Sequence, residues 1–267
     1  MVGLRMYPEC NVHCSPVAAA PGSTQGNPMK VAIMQPYLLP YIGYFQLINA
    51  VDLFVVYDNI KYTKSGWFNR NRFLLNGSDA YFTVPLQKDS DSLDVVQRQI
   101  APTFDQSKFV NQLSEAYRKA PHYEQGLSLL KASLLSGESN LFKFIKHSIQ
   151  SVATRLGIPT PIVESSSIDI DHGLKSQDKV LAICRALGAT EYVNAIGGID
   201  LYSADAFREC GLELRFIKSR PIEYVQFKQA FVPWLSIVDV VMFNEIDRVR
   251  SMLDRYEMIS GKTAAEA

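Results

Sequence analysis

The sequence has no net charge: 27 lysines and arginines balance 27 aspartates and glutamates. A balanced chain has no global field to draw in nucleic acid or anionic lipid, so any anion site must be a local cluster. No apolar run approaches the roughly 20 residues that a membrane span requires. Only four cysteines occur, Cys10, Cys14, Cys184 and Cys210, which excludes a secreted disulfide framework. Cys184 and Cys210 are expected to pack as small apolar residues in and beside helices. Cys10, His13 and Cys14 lie close together, but no second ligand pair has matching spacing, so no metal site is expected there. There is also no G-x-G-x-x-G, Walker loop, G-x-S-x-G elbow or H-E-x-x-H. These absences remove the usual signatures of dinucleotide enzymes, P-loop proteins, serine hydrolases and zinc proteases.

Hydrophobic residues make up 47% of the chain and charged residues 20%, the balance of a globular protein. The length suits one large α/β domain over 29–262, with a helical insertion at about 105–156. Residues 1–28 read as a disordered extension, because 15–28 is rich in Ala, Pro, Gly, Ser and Thr without periodicity. Translation beginning at Met29 would explain the same pattern. The extension lacks the apolar core of a signal peptide, so a cytoplasmic protein is expected. Residues 263–267 read as a frayed tail.

The periodicity predicts strands at 31–35 and 53–57 joined by a helix at 41–50. A hairpin is predicted from 68–75 and 80–86 around Asn76-Gly77. Helices follow at 105–119, 123–135 and 141–156. Strand–helix alternation then resumes, with strands at 161–165, 191–195 and 212–218 and helices at 176–187 and 203–210. Two final helices are expected, at 236–243 and 246–259. Together these predict a Rossmann-like open parallel sheet with a β-hairpin and a helical insertion.

Ligands of such sheets sit beyond the carboxyl ends of the strands. Three segments are therefore expected to meet. The first holds Gln35, Tyr37, Tyr41, Gly43 and Tyr44, where a strand feeds a helix N-terminus whose free amides suit an anion. The second begins at Asp58 and carries Lys61, Lys64, Trp67, Arg70 and Asn71 with no further acid, a local basic cluster suited to phosphate. The third leaves a strand through Asn194, Gly197 and Gly198, where paired glycines allow close backbone approach. Asp58 is the expected general base, with Tyr41 and Tyr44 orienting the acceptor. Asp239 and Asn244 are expected on a late helix, and His122, His147 and His172 as structural residues.

Pro40-Tyr41-Ile42-Gly43-Tyr44 resembles the His-Ile-Gly-His signature of nucleotidyltransferases and class I aminoacyl-tRNA synthetases, with tyrosines in place of both histidines. A phenol donates a hydrogen bond but is not cationic near neutral pH. A broader resemblance is carried by Gln35 to Ile48, by Tyr57-Asp58 with Tyr62 to Asn71, by Tyr192 to Gly198 and by Phe231 to Asp239. In order and spacing these stretches resemble the WbqC-like family, whose setting is O-antigen and other surface-polysaccharide biosynthesis. Many relatives read Tyr-Leu-Ser-Gly where this chain has Tyr192-Val193-Asn194-Ala195.

The resemblance supplies a pathway and no reaction; joined to the phosphate-suited segments, it leads to the expectation of an enzyme that binds a nucleotide or nucleotide-linked sugar and transfers a group, acyl or aminoacyl by the logic of the pathway, to an amino sugar. The alternatives are a catalytically silent binding module and a true nucleotidyltransferase. Expected partners are the small nucleotide-linked substrate and other pathway enzymes, with no nucleic-acid signature and no membrane insertion. The cofactor is unspecified; magnesium would suit a triphosphate, although no carboxylate pair demands it.

Overall fold

A computed structural model describes residues 29–261. The Cys10-His13-Cys14 cluster, the expected extension and the expected frayed tail lie outside the described residues.

Strand β1 (Lys30–Met34) leads through α1 (Ile42–Asn49) to β2 (Leu53–Val56). The hairpin follows as β3 (Arg70–Leu75) and β4 (Ser78–Thr83). Asn76 and Gly77 both adopt positive φ, 51° and 83°, the left-handed pair that matches hairpin twist. Helices α2 (Gln106–Ala116), α3 (Tyr123–Leu134) and α4 (Leu141–Leu156) come next. Asp105 and Asn140 cap α2 and α4 through their side chains, and Gly157 ends α4 at φ 73°. The alternating half comprises β5 (Ile162–Glu164), α5 (Ser176–Ala186), β6 (Glu191–Ala195), α6 (Ala204–Glu209) and β7 (Glu213–Ser219). The described chain closes with α7 (Ile237–Phe243), α8 (Ile246–Met252) and β8 (Tyr256–Ser260).

Six strands form one sheet in the order β5-β2-β1-β6-β7-β8, all parallel except β8. Side chains alternate between its faces. Val31, Ile33, Val55, Tyr192 and Phe216 pack on the side covered by α5 and α6. Ala32, Phe54, Val56, Val193 and Ile217 pack on the other, with α1, the three-helix segment, the hairpin and α7–α8. Helix α1 is buried almost all round, which its apolar sequence permits. Its one buried amide, Gln46, donates to the carbonyls of Met252 and Arg255 and accepts from Ser219 Oγ. Cys184 is fully buried, and burial pushes its thiol up to about 12.

The expected helix over 246–259 ends at Met252, and Tyr256–Ser260 pairs antiparallel with β7, Phe216 opposite Ile259. The partner edge of β7 is distant in sequence, and a local periodicity carries no information about it. The sheet is therefore mixed at one edge.

Candidate functional site

Strand β1 lies between β2 and β6. The chain passes from β1 through α1 to one side, while β6 closes on the other, which makes this boundary the switch point of the sheet. Two pockets open at the carboxyl edge there. Met34, Tyr37 and Ala195 line both, so the pockets adjoin over the ends of β1 and β6.

The smaller pocket, about 430 Å³, is walled by Tyr37, Tyr41, Tyr44, Trp67 and Trp234, with Arg72 and Lys218 at its margin. The Leu38–Leu39–Pro40 loop beneath it is held by its carbonyls. Asn71 Nδ2 donates to Leu38 and Leu39, Ser236 Oγ donates to Leu39, and the Ile237 amide donates to Pro40. The larger pocket, about 850 Å³, has a different chemistry. Lys61, Lys175, Lys179, His172, Asn59 and Asn194 line it, with Asp94 as a carboxylate among them. Each volume suits a compact organic ligand or a large part of one.

Leu39, Ser176 and Trp234 adopt positive φ, 43°, 48° and 60°. Ser176 and Trp234 line a pocket, and Leu39 precedes the pocket residue Pro40. Such conformations cost of order 1–3 kcal/mol each and persist only where the surrounding structure holds them, as at ligand sites.

The three expected segments do meet at this edge, though not through every residue. Tyr41, Gly43, Tyr44, Trp67 and Asn71 line the smaller pocket, and Gln35, Lys61, Asn194, Gly197 and Gly198 line the larger. Tyr44 is buried and donates its hydroxyl to the Gln35 carbonyl, while burial raises its phenol well above the usual tyrosine value. Gly43 serves packing: a β-carbon there would stand 2.8 Å from Ser219 Oγ and 3.3 Å from the Tyr41 ring. The paired glycines separate in role. A β-carbon on Gly198 would meet Asn194 Nδ2 at 2.7 Å, whereas one on Gly197 meets nothing within 4 Å.

Asp58, Lys64 and Arg70 line neither pocket. Asp58 accepts from Ser165 Oγ, from the Ser166 amide and from Ser166 Oγ. Burial pushes its carboxyl up, but these bonds outweigh burial and hold it below the usual aspartate value. Lys64 is an exposed partner of Asp91 at 3.0 Å. Arg70 donates to the carbonyls of Ser65 and Gly66 and lies over the rings of Trp67 and Tyr81. Lys64 and Arg70 thus lie outside the pockets, whereas Lys61 lines the larger and Arg72 the smaller.

The structure adds Trp234, Arg72, Lys179, His172 and Asn59. Trp234 lay in a stretch already marked by resemblance, and Asn59 and Arg72 in the basic segment. Lys179 gave no signal, since a lysine on a helix face is ordinarily solvated. His172 lacked any partner at motif spacing. Among the described residues, no group of three or more His, Cys, Asp or Glu converges as a metal site.

The WbqC-like protein family matches residues 35–251, most of the chain. The chain belongs to that family. Of the residues lining the two pockets, all but Ile33 and Met34 fall within the WbqC-like match. The chain is also 28% identical over 218 residues to the uncharacterized protein Rv1507c of Mycobacterium tuberculosis, covering 80% of this chain and 93% of that one. No solved structure matches. No helix among the described residues is long and apolar enough to cross a membrane.

Proposed function

We propose that this WbqC-like protein binds a nucleotide-linked sugar at the β1–β6 switch point and acts as a transferase of surface-polysaccharide biosynthesis. The observation that carries this reading is the joining of two unlike pockets over Met34, Tyr37 and Ala195. One is aromatic and suits stacking against a base or a sugar face. The other presents three lysines against one aspartate and suits phosphate. A sugar nucleotide carries both chemistries in one molecule. The transferred group in this reading is acyl or aminoacyl, accepted by the amine of an amino sugar. Magnesium, where used, would arrive with the phosphates.

One observation favours a second reading, a binding module without catalysis. The carboxylate expected as general base, Asp58, has its oxygens committed to Ser165 and Ser166. True nucleotidyl transfer has less support, because the Tyr44 hydroxyl is turned to the Gln35 carbonyl.

The test is a thermal-shift screen of nucleoside triphosphates, sugar nucleotides and amino-sugar nucleotides, followed by mass analysis of the ligand after incubation with acyl donors. A ligand at about 100 times its dissociation constant adds roughly 2.7 kcal/mol of stability. A shift with sugar nucleotides and a gain of acyl mass is expected. A shift without chemistry supports the module, and no shift with any of them refutes the nucleotide site.

A further inference from the structure

Lys179 is a buried lysine that lines the larger pocket. It stands in the second turn of α5 with 8% of its surface exposed, and it belongs to none of the ion pairs among the described residues. Its ammonium donates to Asn59 Oδ1 at 2.9 Å and lies 5.5 Å from the centre of the Tyr57 ring. Burial pulls its basicity below the usual lysine value, against the pull of Asp94 and Asp58. Asp94 is the N-cap of a short 3₁₀ turn at Val95–Gln97, where its amide donates to Gln97 Oε1. A buried ammonium whose nearest carboxylates lie beyond ion-pair distance is incompletely compensated. This one faces an open pocket.

Asn59 transmits the orientation of Lys179 to His172. An ammonium only donates, so the amide atom facing it is Oδ1. Nδ2 then faces His172, 2.9 Å from Nδ1. Because Nδ2 only donates, Nδ1 accepts, and the neutral ring carries its proton on Nε2. The pocket thereby gains an ammonium and an imidazole N–H, fixed through one amide, beside Lys61 and Lys175.

We propose that Lys179, Asn59 and His172 form one anion-recognition unit that takes the phosphate or diphosphate of the ligand in the larger pocket. The inference rests on the proposed function for the rest of that ligand, but not for the anion itself. It moves the phosphate subsite from the start of α1, where the sequence suggested it, to the start of α5. A phosphate bound by this unit would supply the close counter-charge that Lys179 lacks, which accounts for a lysine where an apolar residue would pack at lower cost.

Calorimetric titration of inorganic pyrophosphate and of UDP-N-acetylglucosamine into the wild type, Lys179→Met and His172→Phe tests this. Pyrophosphate is expected to bind the wild type and to bind both variants at least about tenfold more weakly, the scale of one lost charge-assisted contact. Lys179→Met should melt at or above the wild-type temperature, because it removes an incompletely paired buried charge. His172 is exposed, so its variant carries the test should Lys179→Met fail to fold. Failure of pyrophosphate to bind the wild type, or equal binding by all three proteins, overturns the unit. Binding of the sugar nucleotide equally to all three overturns the unit while leaving the proposed function standing. Pyrophosphate binding that is lost in the variants, with no binding of any sugar nucleotide, supports the unit and overturns the proposed ligand.

Discussion

Trp234 packs on Tyr41 with ring centroids 5.1 Å apart, closing one side of the smaller pocket. The two residues come from opposite ends of the fold, Tyr41 ahead of α1 and Trp234 in the loop ahead of α7. Trp234 is 55% exposed and sits at φ 60°. The proposed function makes this ring a stacking face for the ligand. Trp234→Ala should weaken sugar-nucleotide binding by about tenfold or more, the scale of one lost stacking contact of ~1–3 kcal/mol. The melting temperature should change little. Calorimetry paired with thermal melts measures both, and an unchanged affinity would remove Trp234 from the site.

The loop carrying Trp234 is anchored by Gln226. Its amide exchanges hydrogen bonds with Val232 and donates to Asp239 Oδ2, which also accepts from Tyr224. Asp239 is fully buried, and burial raises its carboxyl above the usual value despite these bonds. A raised folded value means that the folded state holds the proton more tightly than the unfolded chain. The resulting stability is complete below about pH 3.9, the unfolded value, and is lost as pH rises through the folded value. Asp239→Asn keeps an oxygen for both donors and should abolish that pH dependence with little loss of stability at acid pH. Asp239→Leu should cost about 3 kcal/mol by stranding two buried donors. Chemical denaturation across pH distinguishes these outcomes.

Asp58 predicts the opposite sign. Its folded value is lowered, so its contribution is complete above about pH 3.9 and is lost as pH falls through the folded value. Asp58→Ala should destabilise the protein by about 1–3 kcal/mol at neutral pH, through stranded serine and amide donors, and should flatten the acid limb of its stability profile. A variant that stays as stable as the wild type yet loses all turnover would restore Asp58 as the base.

The glycines separate packing from access. Gly43→Ala should cost about 1–3 kcal/mol, because the new methyl meets Ser219 Oγ, which is bonded to Gln46. Gly198→Ala should behave similarly against Asn194. Gly197→Ala has open space and should leave stability within about 0.5 kcal/mol. Urea denaturation of the three variants checks the order, and an equal loss at all three would contradict the packing.

Local patterns made most of the fold legible. The apolar runs of β1, β2, β6 and β7, the Asn76-Gly77 turn and the helical spacing of α2 to α4 depend on neighbours in sequence, and each formed about where the periodicity placed it. The aromatic wall was half legible, since Tyr41, Tyr44 and Trp67 stood out while Trp234 needed the loop to fold back. The cation-lined pocket was partly legible, since Gln35, Lys61, Asn194, Gly197 and Gly198 stood out and line it. Lys179 becomes notable only when it is buried outside any ion pair among the described residues, and Asn59 and His172 acquire meaning only by facing each other. Conversely, Lys64 and Arg70 looked like ligand cations until tertiary structure gave them Asp91, backbone carbonyls and ring faces as partners.

By itself the sequence determined most element types, the α/β class and the edge at which the two pockets open, because these follow from short-range periodicity and from the geometry common to such sheets. Only the tertiary structure decided that 256–260 is an antiparallel edge strand, that Asp58 is committed to serines and that α5 brings Lys179 to the pocket. Strand pairing, desolvation and hydrogen-bond partnership are made between residues far apart in the chain, and none of them leaves a trace in local spacing.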